Sequence, residues 1–360
     1  MSGAVKSGGP LLVVGGYGEV GGQVCQLLRQ RHPDLELLVA GRSLARAVEA
    51  AVDLGNAAGA RIDVTDADPL AGFESMPDGP MPAGIVVAVN DHHDHLLRAA
   101  IERGIPVVDV ARWTERVDDA VHLATVLQPR APVLLASGWM AGAVAAAINA
   151  ARAPGASFER IEIDVLFYGA DRAGPDSTAG FIDMHRPFEV WEGDARITVG
   201  SMSDPRRQVF PSGLAARVRR FSAPDQETLV RSGLAGGVAL RMAFDSAGLT
   251  ATFAALVRLG LWGRLPRATR QKLLHNPGQG APHEIVVTLD GRERLTLSDP
   301  QGQTHLTAAG AVIQAERLLG LAGRLLPAPG VSYPEQAADP HADLTALQDM
   351  GVVIGREPNP

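Results

Sequence analysis

The stretch that most constrains this chain is Leu11-Leu12-Val13-Val14-Gly15-Gly16-Tyr17-Gly18-Glu19-Val20-Gly21-Gly22, a short apolar run that feeds into a glycine turn. Beyond the turn, Val20, Val24, Leu27 and Leu28 recur at helical spacing. Strand, glycine turn and helix in that order make a place for a phosphate. Gly16 suits the tight turn, Gly18 lets backbone approach a pyrophosphate, and Gly21 lets the helix pack closely on the strand. The helix N-terminus then offers unpaired N–H groups and a partial positive charge to the anion. Gly16, Tyr17, Gly18, Glu19, Val20 and Gly21 are therefore the candidate cradle. The plainer reading of the same residues is a glycine-rich βα turn that holds nothing.

The end of the next strand bears on which dinucleotide fits. Leu35 to Ala40 reads as that strand, and it runs out at Gly41-Arg42-Ser43. An acidic residue at such a tip binds the ribose 2′-hydroxyl of NAD, whereas an arginine accommodates the 2′-phosphate of NADP. Glu36 lies at the start of the strand, far from the adenosine end; Arg42 lies at its tip, with Ser43 as hydroxyl donor and helix N-cap and Arg46 one turn on. NADP(H) is the cofactor this predicts, the alternative being that Arg42 is a solvated surface arginine. Leu44, Ala47, Val48 and Ala51 are the expected buried face of the second helix, and Arg61 to Val64 the third strand, with Asp63 and Val64 near an adenine ring or, more plainly, in a turn.

Ile85 to Val89 is a continuous apolar run, as a strand buried on both faces requires. It leads into Asn90-Asp91-His92-His93-Asp94-His95, the densest ionisable cluster in the chain. His92 and His95 would share a helical face, but no third ligand stands at metal spacing, so no metal is expected. Asp91 and Asp94 suit the start of the following helix, and a histidine here would face the cleft where open parallel sheets bind ligands. Val107 to Val110 and Pro132 to Ala136 complete six strands separated by helical patterns. The fold class is α/β, a doubly wound parallel sheet.

Residues from about 136 onward change character. Ile161 to Tyr168 alternates as a half-exposed strand, and further strands fit 196–199, 208–210, 216–221 and 238–244. Ile285 to Leu289 and Arg292 to Leu297, joined across Asp290-Gly291, form the clearest hairpin. This predicts a second domain of α+β type with a mostly antiparallel sheet. The irregular loop from Tyr168 to Trp191 concentrates Tyr168, Asp171, Arg172, Asp176, Ser177, Thr178, Asp183, His185 and Arg186, and so long a loop in a compact domain is functional or disordered. Arg186, and Arg112 from the first domain, suit a substrate carboxylate, or are plain surface or interface arginines. Leu249 to Leu265 is apolar and followed by arginines, which fits a dimer contact or a core helix better than a membrane surface, given the net acidity.

A length of 360 residues suits two domains, and a net charge of −7 leaves no basic stripe for nucleic acid. The single cysteine, Cys25, excludes an internal disulfide framework and reads as a small buried hydrophobe. With no long apolar span and no basic leader, a cytoplasmic protein without membrane contact is the expectation.

The glycine turn, the strand ending Ala40-Gly41-Arg42-Ser43, the stretch Gly104-Ile105-Pro106-Val107-Val108-Asp109 and the tail Gly330-Val331-Ser332-Tyr333-Pro334-Glu335 together resemble the saccharopine dehydrogenase-like family of NADP-binding oxidoreductases. The likeness covers about the first 150 residues and the last 30. It implies a Rossmann domain over 1–135, a substrate and dimerisation domain over 136–330 and a C-terminal segment, 331–360, returning toward the first domain. It also implies homodimerisation by analogy, and NADPH-dependent reduction of an imine formed from an amine and a carbonyl compound. This chain departs from those members after the fourth strand, where Asp91-His92-His93 replaces a glycine-proline-aromatic element. For such a reaction the proton-donor candidates are His92 and His185, with Asp109 orienting or balancing charge, and Arg112, Tyr168 and Arg186 toward a small substrate that carries a carboxylate. Two other readings stay open: a ketone or enone reductase of a biosynthetic pathway, and a non-catalytic NADP-binding sensor.

Overall fold

The structure is a computed structural model that describes residues 9–74, 81–171, 182–183, 185–274, 278 and 280–359. Arg172, Asp176, Ser177 and Thr178 of the polar loop lie outside the described residues. The chain forms two compact units, Met1–Ala143 with Thr307–Asp339, and Val144–Leu306 with Pro340–Pro360.

The first unit alternates β1 (Leu11–Val14), α1 (Glu19–Arg31), β2 (Leu37–Gly41), α2 (Leu44–Leu54), β3 (Ala57–Arg61), the short α3 (Ala71–Glu74), β4 (Gly84–Val87), α4 (His95–Arg103), β5 (Val107–Asp109), α5 (Val117–Leu127) and β6 (Pro132–Leu135). A seventh strand, β15 (Gly330–Ser332), comes from the tail and pairs with β6. The order β15-β6-β5-β4-β1-β2-β3 is parallel at every pairing, which is the doubly wound sheet the sequence predicts. Four-residue runs such as Leu11–Val14 and Gly84–Val87 are buried throughout, as strands covered on both faces must be.

The third strand is not where the sequence places it. Of Arg61 to Val64 only Arg61 belongs to the strand, which is Ala57-Ala58-Gly59-Ala60-Arg61, and Ile62 to Val64 follow it. No residue of this edge strand is β-branched, so its pairing comes from tertiary contact rather than propensity. A Cβ on Gly59 would lie 2.4 Å from the Val48 backbone nitrogen, so α2 rests directly on the strand. That close approach turns Ala47 and Ala51 inward and leaves Leu44 and Val48 exposed, the reverse of what two larger apolar residues suggest.

α10 (Gln303–Leu319) carries Glu316, which is fully buried and meets Arg31 Nε at 2.6 Å and His32 Nε2 at 2.8 Å. Burial opposes its charge, but the hydrogen bonds from His32 and Arg31 outweigh it and hold the carboxyl below the usual range. The pairing anchors the C-terminal end of α1. Cys25, on the same helix, is buried, and burial pushes its thiol up to about 12, so it behaves as a small hydrophobe.

The second unit is built on β7 (Ile161–Phe167), β10 (Arg206–Val209), β11 (Ala215–Arg220), β12 (Val238–Phe244), β13 (His283–Leu289), β14 (Glu293–Asp299) and β16 (Val353–Pro358), in the order β10-β11-β12-β7-β13-β14-β16. Only β12 and β7 pair in parallel; the other five pairings are antiparallel. A separate two-stranded sheet joins β8 (Phe188–Glu192), which the sequence reading does not find, to β9 (Ala195–Val199). The β13–β14 hairpin turns through Asp290 and Gly291, both at positive φ, with Arg292 N donating to Leu289 O, the type I′ geometry that a right-handed strand twist favours. Among the described residues the helices also include α6 (Ala143–Ala151), α7 (Asp225–Arg231), α8 (Ala247–Arg258), α9 (Arg267–Leu274) and α11 (Pro340–Asp349). None of the helices, over the described residues, is long and apolar enough to cross a membrane.

His283 opens β13 fully buried, edge-on to Phe167 with ring centroids 5.3 Å apart. Burial pushes its imidazole down to about 3, so it folds neutral. The unfolded chain binds a proton there below about pH 6.5 and the folded chain does not, so stability is complete above that pH and falls on acidification. Between about pH 6.5 and 3 this one group is expected to remove about 1.4 kcal/mol per pH unit. Urea unfolding of wild type and His283→Met from pH 7 to 5 checks it: the variant should show the shallower slope, and equal slopes would contradict the assignment.

Candidate functional site

The order of the first sheet reverses between β1 and β4, and open parallel sheets form their crevice at the carboxyl ends of strands at such a point. The glycine turn occupies that position. Gly15 N and Gly16 N both donate to Ala40 O, at 2.8 and 3.1 Å, and Gly18 N donates to Gly15 O at 2.8 Å. A Cβ on Gly21 would lie 2.2 Å from Gly15 O and 2.7 Å from Gly15 C, so only hydrogen fits where α1 passes the turn.

Gly18 caps α1 with extended backbone and no side-chain hydrogen bond. Two neighbouring helices of the unit differ. Ser43 Oγ accepts from Arg46 N at the start of α2. The buried Asp91 carboxylate accepts from His95, Leu96 and Leu97 N at 3.0–3.2 Å at the start of α4. The last arrangement places an anion from the chain itself on a helix N-terminus. Among the described residues no such side chain reaches the N–H groups of Glu19, Val20 and Gly21 at α1, and Glu19 and Gly18 are exposed. A Cβ on Gly18 would meet only Gly15 O, at 3.1 Å. An open, uncapped N-terminus behind a turn where Gly21 has no room for a side chain fits a pyrophosphate by the chemistry of its donors.

The residues expected around an adenosine lie on the β2 and β3 side. Arg42 is exposed at the tip of β2, and Glu36 precedes the strand at its other end. The Tyr17 ring crosses the same tip: its hydroxyl accepts from Ser43 N at 2.9 Å, the Arg46 guanidinium lies 4.6 Å from its centroid, and a Cβ on Gly41 would be 2.6 Å from it. Asp63 accepts from Thr65 N and Oγ1, and these bonds, with lesser help from Arg61 and Arg42, hold its carboxyl below the usual range. Val64 is half-buried beside it.

On the β4 and β5 side, Asn90, Asp91, His92, Asp109, Arg112 and Trp113 line a small recess. His92 is exposed and Asp91 buried. Arg112 is buried and committed within the chain: Nε meets Asp109 Oδ2 at 2.9 Å, Nη2 the same oxygen at 2.8 Å, and Nη1 both Asp94 Oδ1 at 2.7 Å and Arg116 O at 3.2 Å. Arg116 closes the cluster, reaching Asp94 Oδ2 at 2.5 Å and Asp91 O at 3.0 Å. Burial works against the Arg112 charge, but Asp109 and Asp94 outweigh it and raise its pKa above the ordinary value. Burial is also the main cause that raises the Asp91 carboxyl, with Asp94 and Asp109 adding to it. Asp94 does not cap α4 through its side chain; it sits in the left-handed region at φ 57° with both oxygens on arginines. Sequence reasoning missed Arg116, whose one signal is its four-residue spacing from Arg112.

The remaining candidates belong to the second unit. Tyr168 hydroxyl lies 3.2 Å from Ser212 Oγ and 3.4 Å from Glu284 Oε2, and Ser212 Oγ donates to Glu284 at 2.8 Å; burial raises the phenol's pKa. His185 Nδ1 faces the Ile182 carbonyl at 3.1 Å, an oxygen that also accepts from Trp262 Nε1 and Arg270 Nη1. Arg186 is exposed.

The chain matches no protein-family model and no curated protein. Among solved structures it is similar to amine dehydrogenase from Mycobacterium smegmatis, with TM-score 0.46 and 13% identity over 92% of this chain and 96% of that one. It is similar to the WlbA (WbpB) dehydrogenase of Thermus thermophilus in complex with NAD and UDP-GlcNAcA, with TM-score 0.43 and 12% identity over 95% and 93%. A third is myo-inositol dehydrogenase of Corynebacterium glutamicum, with TM-score 0.41 and 15% identity over 95% and 94%.

Proposed function

We propose that this chain is a nicotinamide-dinucleotide oxidoreductase that prefers NADPH and reduces the imine formed between an amine and a carbonyl compound. The observation that carries the first part is the uncapped N-terminus of α1 behind a turn where Gly21 has no room for a side chain. The backbone from Gly16 to Gly21 would hold the pyrophosphate, and Arg42 and Ser43 the 2′-phosphate. Asn90 belongs to the nicotinamide side. When bound, the cofactor supplies hydride.

What the chain supplies is position and a proton. His92 is the exposed imidazole at the rim of the β4–β5 recess, and histidine exchanges protons near neutral pH. Asp109 and Arg112 act as positioning residues, because their charges satisfy each other inside the chain. Arg186 is the candidate for a substrate carboxylate, since its guanidinium is exposed. His185 is held by the Ile182 carbonyl and ranks behind His92 as proton donor.

NADPH consumption in the presence of carbonyl compounds, with and without amines, tests this reading. Turnover is expected to need both partners, and His92→Gln to lower kcat about 100-fold with cofactor binding unchanged. Turnover with carbonyl alone would make it a ketone or enone reductase, and none across a broad panel would favour a nucleotide sensor.

A further inference from the structure

We propose that a second site, in the cleft between the β10–β11 edge and the first turns of α8, binds a small molecule through a phosphate monoester or diphosphate group. The cleft has a volume of about 560 Å³ and is lined by Arg207, Arg217 and Arg219 on one side and by Phe244, Asp245 and the start of α8 on the other. It lies within the second unit and does not depend on the dinucleotide reading.

The same strands contain their own control. Arg206, Arg220 and Arg241 alternate or align onto the opposite face of the sheet, and each meets an acid there: Arg206 pairs with Glu162 and Asp164, Arg241 with Glu162 and Asp204, and Arg220 with Asp204. Among the described residues the arginines that face the cleft form no ion pair. Arg207 stands directly across the ladder from Arg217, which brings the two Cβ atoms within about 5 Å, and like charges so placed are destabilising. Among the described residues neither has an acidic partner. Arg219 donates to the Met202 carbonyl at 3.2 Å, and its buried Nε has no partner. Burial, then the charges of Arg217 and Arg258, lower its pKa, as expected where cations crowd without anions.

A chain with net charge −7 has no general surplus of cations to scatter, so three arginines on one unneutralised face need a cause. An anion in the cleft supplies it. The N-terminus of α8, capped by Ser246, adds a partial positive charge, and Ala247 and Ala251 leave space before it. Asp245 accepts from Gly169 N at 3.2 Å and is the one acid among the described residues of the lining. Three guanidiniums and one carboxylate leave a charge of +2, which matches a phosphate ester at about −1.5 to −2 better than a carboxylate.

The test is calorimetric titration of the full chain with inorganic pyrophosphate at fixed ionic strength, with malonate as the carboxylate arm and amide hydrogen exchange to locate the ligand. Pyrophosphate is expected to protect residues 206–219 and 244–251. Arg207→Ala/Arg217→Ala should weaken that protection event at least about ten-fold, as loss of charge-assisted hydrogen bonds does, while Arg42→Ala leaves it unchanged. The ligand-free double variant should melt no lower than wild type, because the substitution relieves repulsion, and Arg217→Gln serves as a milder second variant. Unchanged binding in both variants, absence of protection in those segments, or equal affinity for malonate would overturn the proposal.

Discussion

Gly21→Ala is expected to abolish dinucleotide binding and to cost about 3 kcal/mol of stability, whereas Gly22→Ala next to it should keep binding and gain up to about 1 kcal/mol. A methyl on Gly21 would sit 2.2 Å from Gly15 O. That oxygen belongs to the backbone of the turn and accepts from Gly18 N, so it cannot rotate aside as a side chain would. To admit the methyl, α1 must move off the turn, and its N–H groups with it. At Gly22 a Cβ would meet Gly16 O at 3.7 Å, an ordinary contact, and alanine is the better helix former. Thermal melts and NADPH titrations of the two variants read the difference. If Gly21→Ala bound NADPH as wild type does, the turn would not be the cradle.

Arg112→Leu is expected to destabilise the first unit by about 3–5 kcal/mol, because it leaves Asp109 and Asp94 facing each other around a lost guanidinium. Four of the five N–H donors of Arg112 have partners in the chain. An arginine so committed holds its loop in place; it has little left for a substrate. Adding Asp109→Asn to Arg112→Leu should recover part of the loss, since it removes one stranded charge. Urea unfolding measures both. A change in KM with unaltered stability would instead mark Arg112 as a substrate ligand.

The parts of this fold that could be read in the sequence are those specified locally. Leu11–Val14, the glycine turn and the period of α1 each follow from neighbours a few residues apart, and so does the Asp290-Gly291 hairpin. What could not be read depends on partners distant in the chain. β3 is made of alanine and glycine and pairs because α2 can rest on Gly59. The exposure of Leu44 and Val48 follows from that contact, not from their own hydrophobicity. In the site, the position of Arg42 follows from the end of β2. The Asp94–Arg112–Arg116 cluster brings together the loop before α4 and the turn after β5, 18 and 22 residues apart, and no spacing rule joins Asp94 to the two arginines. The same holds for the Tyr17 hydroxyl on Ser43 N, 26 residues away.

Titration of the purified chain with NADPH and with NADH, for wild type and Arg42→Ala, decides whether the glycine turn and the tip of β2 hold a dinucleotide. Wild type is expected to bind NADPH more tightly than NADH, and Arg42→Ala to weaken NADPH about ten-fold or more while leaving NADH unchanged, as loss of a guanidinium–phosphate pair does. Failure to bind either nucleotide would contradict that assignment.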